Sequence, residues 1–183
     1  MAMDDQLFAG EWGTRVERTF AFVDLSGFTA YTDSEGDREA VTVLASFRAA
    51  VRDIAARRGV RVAKWLGDGA MIVAVETEPA VEAVIDIERR VDESGSPLAL
   101  RAGIAAGPVI LFEGDDYIGQ PVNLASRLCD LAHPHEVLAP ASMVSSLMVN
   151  TVATAIGARH ISGFGQPVDL VRLRPIEGLH SVG

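Results

Sequence analysis

Hydrophobic positions along the chain switch between a strand period and a helix period, and the switches delimit the elements. Arg18 to Leu25 (RTFAFVDL) is rich in β-branched and aromatic residues, stops at Ser26-Gly27 and reads as a buried strand. From Gly36 to Arg58 the spacing lengthens, with Ala40, Leu44, Phe47, Val51 and Ile54 recurring at helical intervals. Glu35, Asp37 and Glu39 at its start and Arg57, Arg58 and Gly59 at its end match a helix dipole and a glycine stop. Val60 to Leu66 and Ala70 to Val75 are two strand-like runs joined at Gly67-Asp68-Gly69, a hairpin turn whose glycines accept positive φ. Thr77 caps and Pro79 opens a second helix to about Val91, whose buried stripe is Ala80, Val84, Ile87 and Val91. A strand follows at Leu98 to Ala106. Strand, helix, strand, strand, helix, strand is the order of a ferredoxin-like βαββαβ unit.

Beyond that unit the pattern predicts a strand at Val109 to Phe112, a helix from about Gln120 to Ala132, a short strand at Glu136 to Leu138 and a small helix beginning near Pro140. Two late extended runs, about Ala158 to Ile161 and Val168 to Arg174, read as a terminal hairpin. The fold class is therefore α+β: a ferredoxin-like core with a C-terminal extension, forming one mainly antiparallel sheet flanked by helices. Gly and Pro are dispersed and no repeat is visible, so residues 1–183 form one domain with its core at about 18–174. Residues 1 to about 14 and 176 to 183 lack periodicity and are expected to be frayed or loosely docked.

Composition narrows the function. With 49% hydrophobic and 22% charged residues over 183 positions, the chain can build a core without disulfides or a structural metal. The lone cysteine, Cys129, excludes an internal disulfide and a CxxC zinc site. Sixteen Lys and Arg against 25 Asp and Glu give a net charge of -9, which repels a phosphate backbone and argues against nucleic acid as partner. The first twelve residues hold no basic segment and no apolar run reaches the roughly 18 to 20 residues a bilayer requires, so no membrane is expected and the reading is cytoplasmic.

Asp24 ends the first strand and opens the loop Leu25-Ser26-Gly27-Phe28-Thr29, whose amides precede a helical turn that can attract phosphate. Taken alone, an Asp after a strand is more often a turn or cap residue, and Asp68 in its Asp-Gly hairpin invites the same reading. A ferredoxin-like sheet sets the first strand beside the second strand of that hairpin. The two carboxylates then meet and can bind two divalent ions, Mg²⁺ or Mn²⁺, on a triphosphate. Asn123 and Arg127, spaced i, i+4, share one helix face. That pairing is ordinarily solvated, but if Val122, Ala125 and Leu128 face the sheet, the pair flanks their stripe near the helix start, where a guanidinium can meet phosphate. His133 and His135 flank Pro134 in a loop, and Tyr117, Trp65 and Phe164 read as packing residues. The sequence holds no GxxxxGK phosphate loop, GxSxG elbow or HExxH pair.

Four segments in order carry a resemblance. Phe22-Val23-Asp24-Leu25-Ser26-Gly27-Phe28-Thr29, Lys64-Trp65-Leu66-Gly67-Asp68-Gly69, Arg101-Ala102-Gly103-Ile104 and Val122-Asn123-Leu124-Ala125-Ser126-Arg127-Leu128 resemble the motifs of the class III nucleotidyl cyclases, across roughly residues 18 to 174. The GGDEF-type hairpin of the related diguanylate cyclases is absent. The resemblance implies that Asp24 and Asp68, with Leu25, hold two metal ions, and that Phe28, Thr29 and Arg101 bind the phosphates. It implies that Asn123 orients the ribose and Arg127 stabilises charge at the α-phosphate. Lys64 and Asp116 fall at the base-reading positions. Asp116 is preferred over Asp115 because it stands seven residues before Asn123. A donor for adenine N1 and an acceptor for the exocyclic amine imply ATP rather than GTP. The implied enzyme is a homodimeric adenylate cyclase making 3′,5′-cyclic AMP, with Asp24, Asp68 and Arg101 from one chain and Lys64, Asp116, Asn123 and Arg127 from the other. The alternatives are a guanylate or mixed-specificity cyclase and a degenerate nucleotide-binding module. Two departures stand out: the stretch between Gly107 and Gly119 is short, implying a weak dimer, and Phe164 occupies the place of a triphosphate-binding lysine, leaving Arg159 or Arg172 as substitutes.

Overall fold

The computed structural model describes residues 13–176 apart from 115, 146–147 and 149. Its elements are β1 (Thr14–Leu25), α1 (Phe28–Glu35), α2 (Asp37–Arg58), β2 (Arg61–Leu66), β3 (Gly69–Ala74), α3 (Thr77–Glu93), β4 (Leu100–Phe112), β5 (Asp116–Ile118), α4 (Gln120–Leu131), β6 (Glu136–Pro140), a 3-10 turn (Ala141–Met143), β7 (Thr151–Arg159) and β8 (Val168–Pro175). They form one eight-stranded sheet in the order β2-β3-β1-β4-β6-β8-β7, with β5 paired to β4 off that path. The segment β2-β3-β1-β4 is the expected ferredoxin-like core. The extension joins at β6, which runs parallel to β4, while the other pairings are antiparallel.

Alternation along the strands distributes two cores. Ala21, Val23 and Leu25 of β1 and Ala102 and Ile104 of β4 meet α2 and α3 through Phe47, Val51, Ile54, Val84, Ile87 and Val91. Phe20 and Ala105 face the other way, toward Ala125 of α4. Each fully buried aliphatic side chain stabilises the fold by about 1.5–3 kcal/mol. Helix α4 sits unusually close to β4. A Cβ at Gly103 would lie 2.3 Å from both the Ala125 carbonyl oxygen and the Cys129 nitrogen, so only glycine fits beneath the helix.

Several expectations need correction. The separate strands expected at Leu98–Ala106 and Val109–Phe112 are one strand, β4, which runs through Gly107-Pro108. Pairing to β6 ends at Gly103 and pairing to β5 begins at Ile110, so Pro108 has only β1 beside it and the missing amide is tolerated. Strand β5 was not expected, and the helical turn expected after the Leu25–Thr29 loop is the longer helix α1, which already begins at Phe28. The strand expected at Ala158–Ile161 is the longer edge strand β7, already formed from Thr151 and mostly solvent-exposed. Of the ends expected to be loose, 1–12 and 177–183 lie outside the described residues, whereas Thr14 already pairs with Leu111.

Candidate active site

Asp24 is the Cα partner of Gly69 on one side and of Arg101 on the other, which brings the end of β1, the β2–β3 turn and the start of β4 into one place. The Leu25 amide donates to the Asp68 carbonyl at 3.3 Å, tying the turn to the strand end. Both Nε and Nη2 of Arg101 donate to Oδ2 of Asp24, at 3.0 and 2.8 Å. Burial nevertheless pushes the Asp24 carboxyl above its ordinary value. The Arg101 bonds oppose that shift and the neighbouring Asp68 charge adds to it. Burial thus outweighs the support that the guanidinium gives the Asp24 charge.

These residues fit divalent cations. Two carboxylates and a main-chain carbonyl are hard oxygen donors, the set that Mg²⁺ and Mn²⁺ prefer. Gly69 keeps the space beside Asp24 open: a Cβ there would lie 2.7 Å from the Val23 carbonyl and 3.1 Å from Asp24 Oδ1. The loop after Leu25 also holds an orphan, since Ser26 Oγ is buried without a hydrogen-bond partner among the described residues. Gly27, with φ of 77°, turns the chain so that the exposed amide end of α1 begins at Phe28 and Thr29. Phe28 itself packs on the main core, anchoring the loop.

Lys64 and Asp116 meet on the open part of the sheet. Nζ of Lys64 lies 2.5 Å from Asp116 Oδ1, and both side chains are at least half exposed. The short β4–β5 hairpin delivers Asp116: Phe112 pairs with Asp116 and Ile110 with Ile118. Beside them the Tyr117 ring packs edge-on against Phe20 and its hydroxyl accepts from Arg61 at 2.9 Å, as a packing residue should.

Asn123 and Arg127 do share a helix face, but they do not flank the sheet-facing stripe as expected. The buried residues of α4 are Pro121, Ala125, Leu128 and Cys129. At about 100° per residue, Asn123 and Arg127 stand roughly 160° round from Ala125 on either side, turned away from their own sheet. Arg127 is 55% exposed, and Asp130, at 3.9 Å, is its one ion-pair partner among the described residues. The structure thus gathers Asp24, Asp68, Leu25, Phe28, Thr29 and Arg101 at one strand end, Lys64 and Asp116 on the open sheet face, and Asn123 and Arg127 on the outer side of α4.

The proposed substitutes for a triphosphate-binding lysine do not join them. Arg172 is bound to Glu136 on the neighbouring strand, and Arg159 is exposed at the edge strand. Phe164 packs in the small core around Leu128 and Leu138. Sequence reasoning missed Arg48, which donates to the Gly67 carbonyl at 2.9 Å and stacks 5.0 Å above Trp65, as does Arg52. The i, i+4 arginines on α2 were the available signal; Arg48 holds the turn carrying Asp68, and both cover Trp65 of the strand leading into it. Cys129, beneath this site, is inert: burial pushes its thiol up to about 12.

Residues 15–169 match the family described as the adenylate and guanylate cyclase catalytic domain. The uncharacterized protein Rv2212 of Mycobacterium tuberculosis is 36% identical over 159 residues, 87% of this chain and 42% of that protein. An adenylate cyclase of Streptomyces coelicolor is 35% identical over 143 residues, 76% of this chain and 37% of that protein. The chain thus spans about two fifths of the length of these relatives. Among solved structures, the adenylyl cyclase CyaB from P. aeruginosa superposes with a TM-score of 0.71 at 26% identity, covering 87% of this chain and 94% of that one.

Proposed function

The chain belongs to the adenylate and guanylate cyclase catalytic-domain family, and on that footing we propose that it converts ATP to 3′,5′-cyclic AMP and pyrophosphate at sites shared between two copies of itself. The observation that carries this reading is the convergence of Asp24, the turn carrying Asp68 and Arg101 at one strand end. Asp24, Asp68 and the Leu25 carbonyl would hold two ions, Mg²⁺ or Mn²⁺. Bound there, such ions lower the pKa of a coordinated hydroxyl and neutralise departing phosphate charge.

The chain's own residues do the remaining work. The amides at Phe28 and Thr29 receive phosphate oxygens, and Arg101 exchanges Asp24 for the β- or γ-phosphate. Lys64 donates to adenine N1 while Asp116 accepts from the exocyclic amine; guanine presents the opposite pattern and leaves both unpaired. Asn123 orients the ribose so that its 3′-hydroxyl stands in line with the α-phosphate, and Arg127 meets the charge that develops there.

The α4 geometry supports a site shared by two copies. Asn123 and Arg127 face away from the sheet that carries Asp24, so a site using both draws them from different chains. No described helix is long and apolar enough to cross a membrane, in keeping with a reaction in the cytoplasm where ATP is available. The test is incubation of the purified chain with ATP or GTP and Mg²⁺ or Mn²⁺, with chromatographic detection of cyclic nucleotide. Cyclic AMP from ATP is expected. A preference for GTP would reassign the substrate, and no product from either would leave a nucleotide-binding module.

A further inference from the structure

A second group of metal-ligating side chains lies on the opposite side of the sheet from α4. Glu88 and Asp92 stand one turn apart on α3, and His135 comes from the loop before β6. His135 Nδ1 lies 3.4 Å from Glu88 Oε1 and 3.4 Å from Asp92 Oδ1, and ligand atoms of all three lie within 4.8 Å of one another.

Those separations have a specific meaning. A charge-assisted N–H···O bond is about 2.7–2.9 Å long, so the His135–Glu88 hydrogen bond at 3.4 Å is a long one, and the contact to Asp92 is no shorter. Ligand atoms placed tetrahedrally at about 2.0–2.1 Å from a zinc ion are separated from one another by about 3.3 Å. The imidazole nitrogen is thus spaced from each carboxylate as a pair of ligands of a small ion would be, with all three ligand atoms within 4.8 Å of one another.

The surroundings agree. Glu88 is only 15% exposed, and burial pushes its carboxyl above the ordinary value, with the His135 contact too weak to reverse the shift. Asp92 and His135 are open to solvent, at the mouth of a cavity of about 410 Å³ that also takes in Val137, Leu173 and Arg174. With a neutral imidazole, two carboxylates outweigh the Arg174 guanidinium by one negative charge. The His135 amide donates to the Leu100 carbonyl at 2.8 Å, fixing the residue that carries the imidazole.

We propose that Glu88, Asp92 and His135 form a site for a zinc-class divalent ion, distinct from the Asp24–Asp68 pair and clamping α3 to the start of β6. One imidazole and two carboxylates suit Zn²⁺, and the fourth position is left to water. An oxygen-only pair such as Asp24 and Asp68 suits Mg²⁺ instead. The site does not depend on the cyclase reading.

The test uses the full chain, stripped of metal and titrated with Zn²⁺ against a chromogenic chelator in the presence of excess Mg²⁺. One equivalent should bind and raise the Tm. His135→Asn, which keeps a residue tolerant of the positive φ found there, and Glu88→Gln should each weaken binding on the order of tenfold or more. Asp24→Asn should leave it unchanged. X-ray absorption of the zinc-loaded wild type should show nitrogen and oxygen neighbours with one imidazole and no sulfur, which decides the matter even if a variant fails to fold. Absence of a stoichiometric site, retention in His135→Asn, loss in Asp24→Asn, or a sulfur neighbour would each overturn the proposal.

Discussion

Asp24 and Arg101 are direct cross-strand neighbours, and a single oxygen, Asp24 Oδ2, accepts from both Nε and Nη2 of the guanidinium at 3.0 and 2.8 Å. The arginine therefore stands where a cation is wanted, and the carboxylate is shared between two tasks. Because burial opposes the charge of Asp24 while Arg101 supports it, the pair contributes little net stability. Asp24→Asn should abolish cyclase activity while the protein stays folded, since the isosteric amide still offers Arg101 an oxygen acceptor. Asp68→Asn should do the same. Undiminished turnover in either variant would remove the carboxylates from the metal site.

The contact between Lys64 and Asp116 sets the second expectation. Both are at least half exposed and paired with each other, so their ion pair contributes little to folding and they are free to serve recognition. Combining Lys64→Glu with Asp116→Ala should lower kcat/KM for ATP and raise the relative use of GTP. Each hydrogen bond lost against a buried base edge costs about 1–3 kcal/mol. A constant ATP to GTP ratio of kcat/KM would show that these two side chains do not read the base.

Gly103 tests how α4 is positioned. A methyl group there would meet backbone atoms of Ala125 and Cys129 at 2.3 Å, and backbone cannot rotate out of the way as a side chain can. Gly103→Ala should destabilise the fold by about 1–3 kcal/mol, the usual cost of overpacking. Because α4 must lift to make room, Asn123 and Arg127 move with it and kcat should fall as well. A variant with wild-type Tm and activity would mean that the helix is not held against β4.

The ferredoxin-like half was legible because its signals agree: β1 is apolar and stops at Ser26-Gly27, α2 and α3 keep a helical stripe, and a Gly-flanked Asp makes the hairpin. Where local signals conflicted with tertiary context, the sequence misled. Gly107-Pro108 reads as a break, yet β4 continues through it because one side of the strand is unpaired there. Strand β7 has the small side chains of Thr151, Ala153 and Ala155 and lies at the sheet edge, so it carries almost no hydrophobic pattern. Helix α1 buries no residue fully, and only Phe28 and Tyr31, one turn apart, hinted at it. At the site, the proximity of Asp24 to Asp68 followed from strand order. The outward direction of Asn123 and Arg127 was legible too, since at about 100° per residue both stand about 160° from Ala125, the centre of the expected stripe and of the observed one.

Cys129 provides a pH test. Burial raises its thiol from an ordinary value near 9.0 to about 12, so the folded state keeps the proton that the unfolded chain gives up. Its contribution to stability is then fully present below pH 9.0 and is lost as pH rises from there toward about 12. The stability difference between wild type and Cys129→Ala should shrink over that range. The native thiol should also resist a disulfide reagent at mildly alkaline pH and react once the protein is unfolded. Rapid modification of the folded protein would show that α4 does not hold it against β4.

The composite site makes the most discriminating prediction. Arg127 is exposed on the outer face of α4, so Arg127→Ala should leave the fold intact while lowering kcat roughly a hundredfold or more, the effect of losing a donor to developing charge. Asp24→Ala removes the metal half of a site, so each variant alone is inactive. In a two-fold symmetric dimer of one Asp24→Ala chain and one Arg127→Ala chain, one site collects both lesions and the other collects neither. Random association makes half of the dimers mixed, each with one of two sites intact, so mixing should restore about a quarter of wild-type activity. The short hairpin between β4 and β5 offers little surface for a partner, and recovery should therefore rise with protein concentration by mass action. If native mass spectrometry shows that subunits exchange and no activity returns at any concentration, the site is built within one chain, and the outward face of α4 has another purpose.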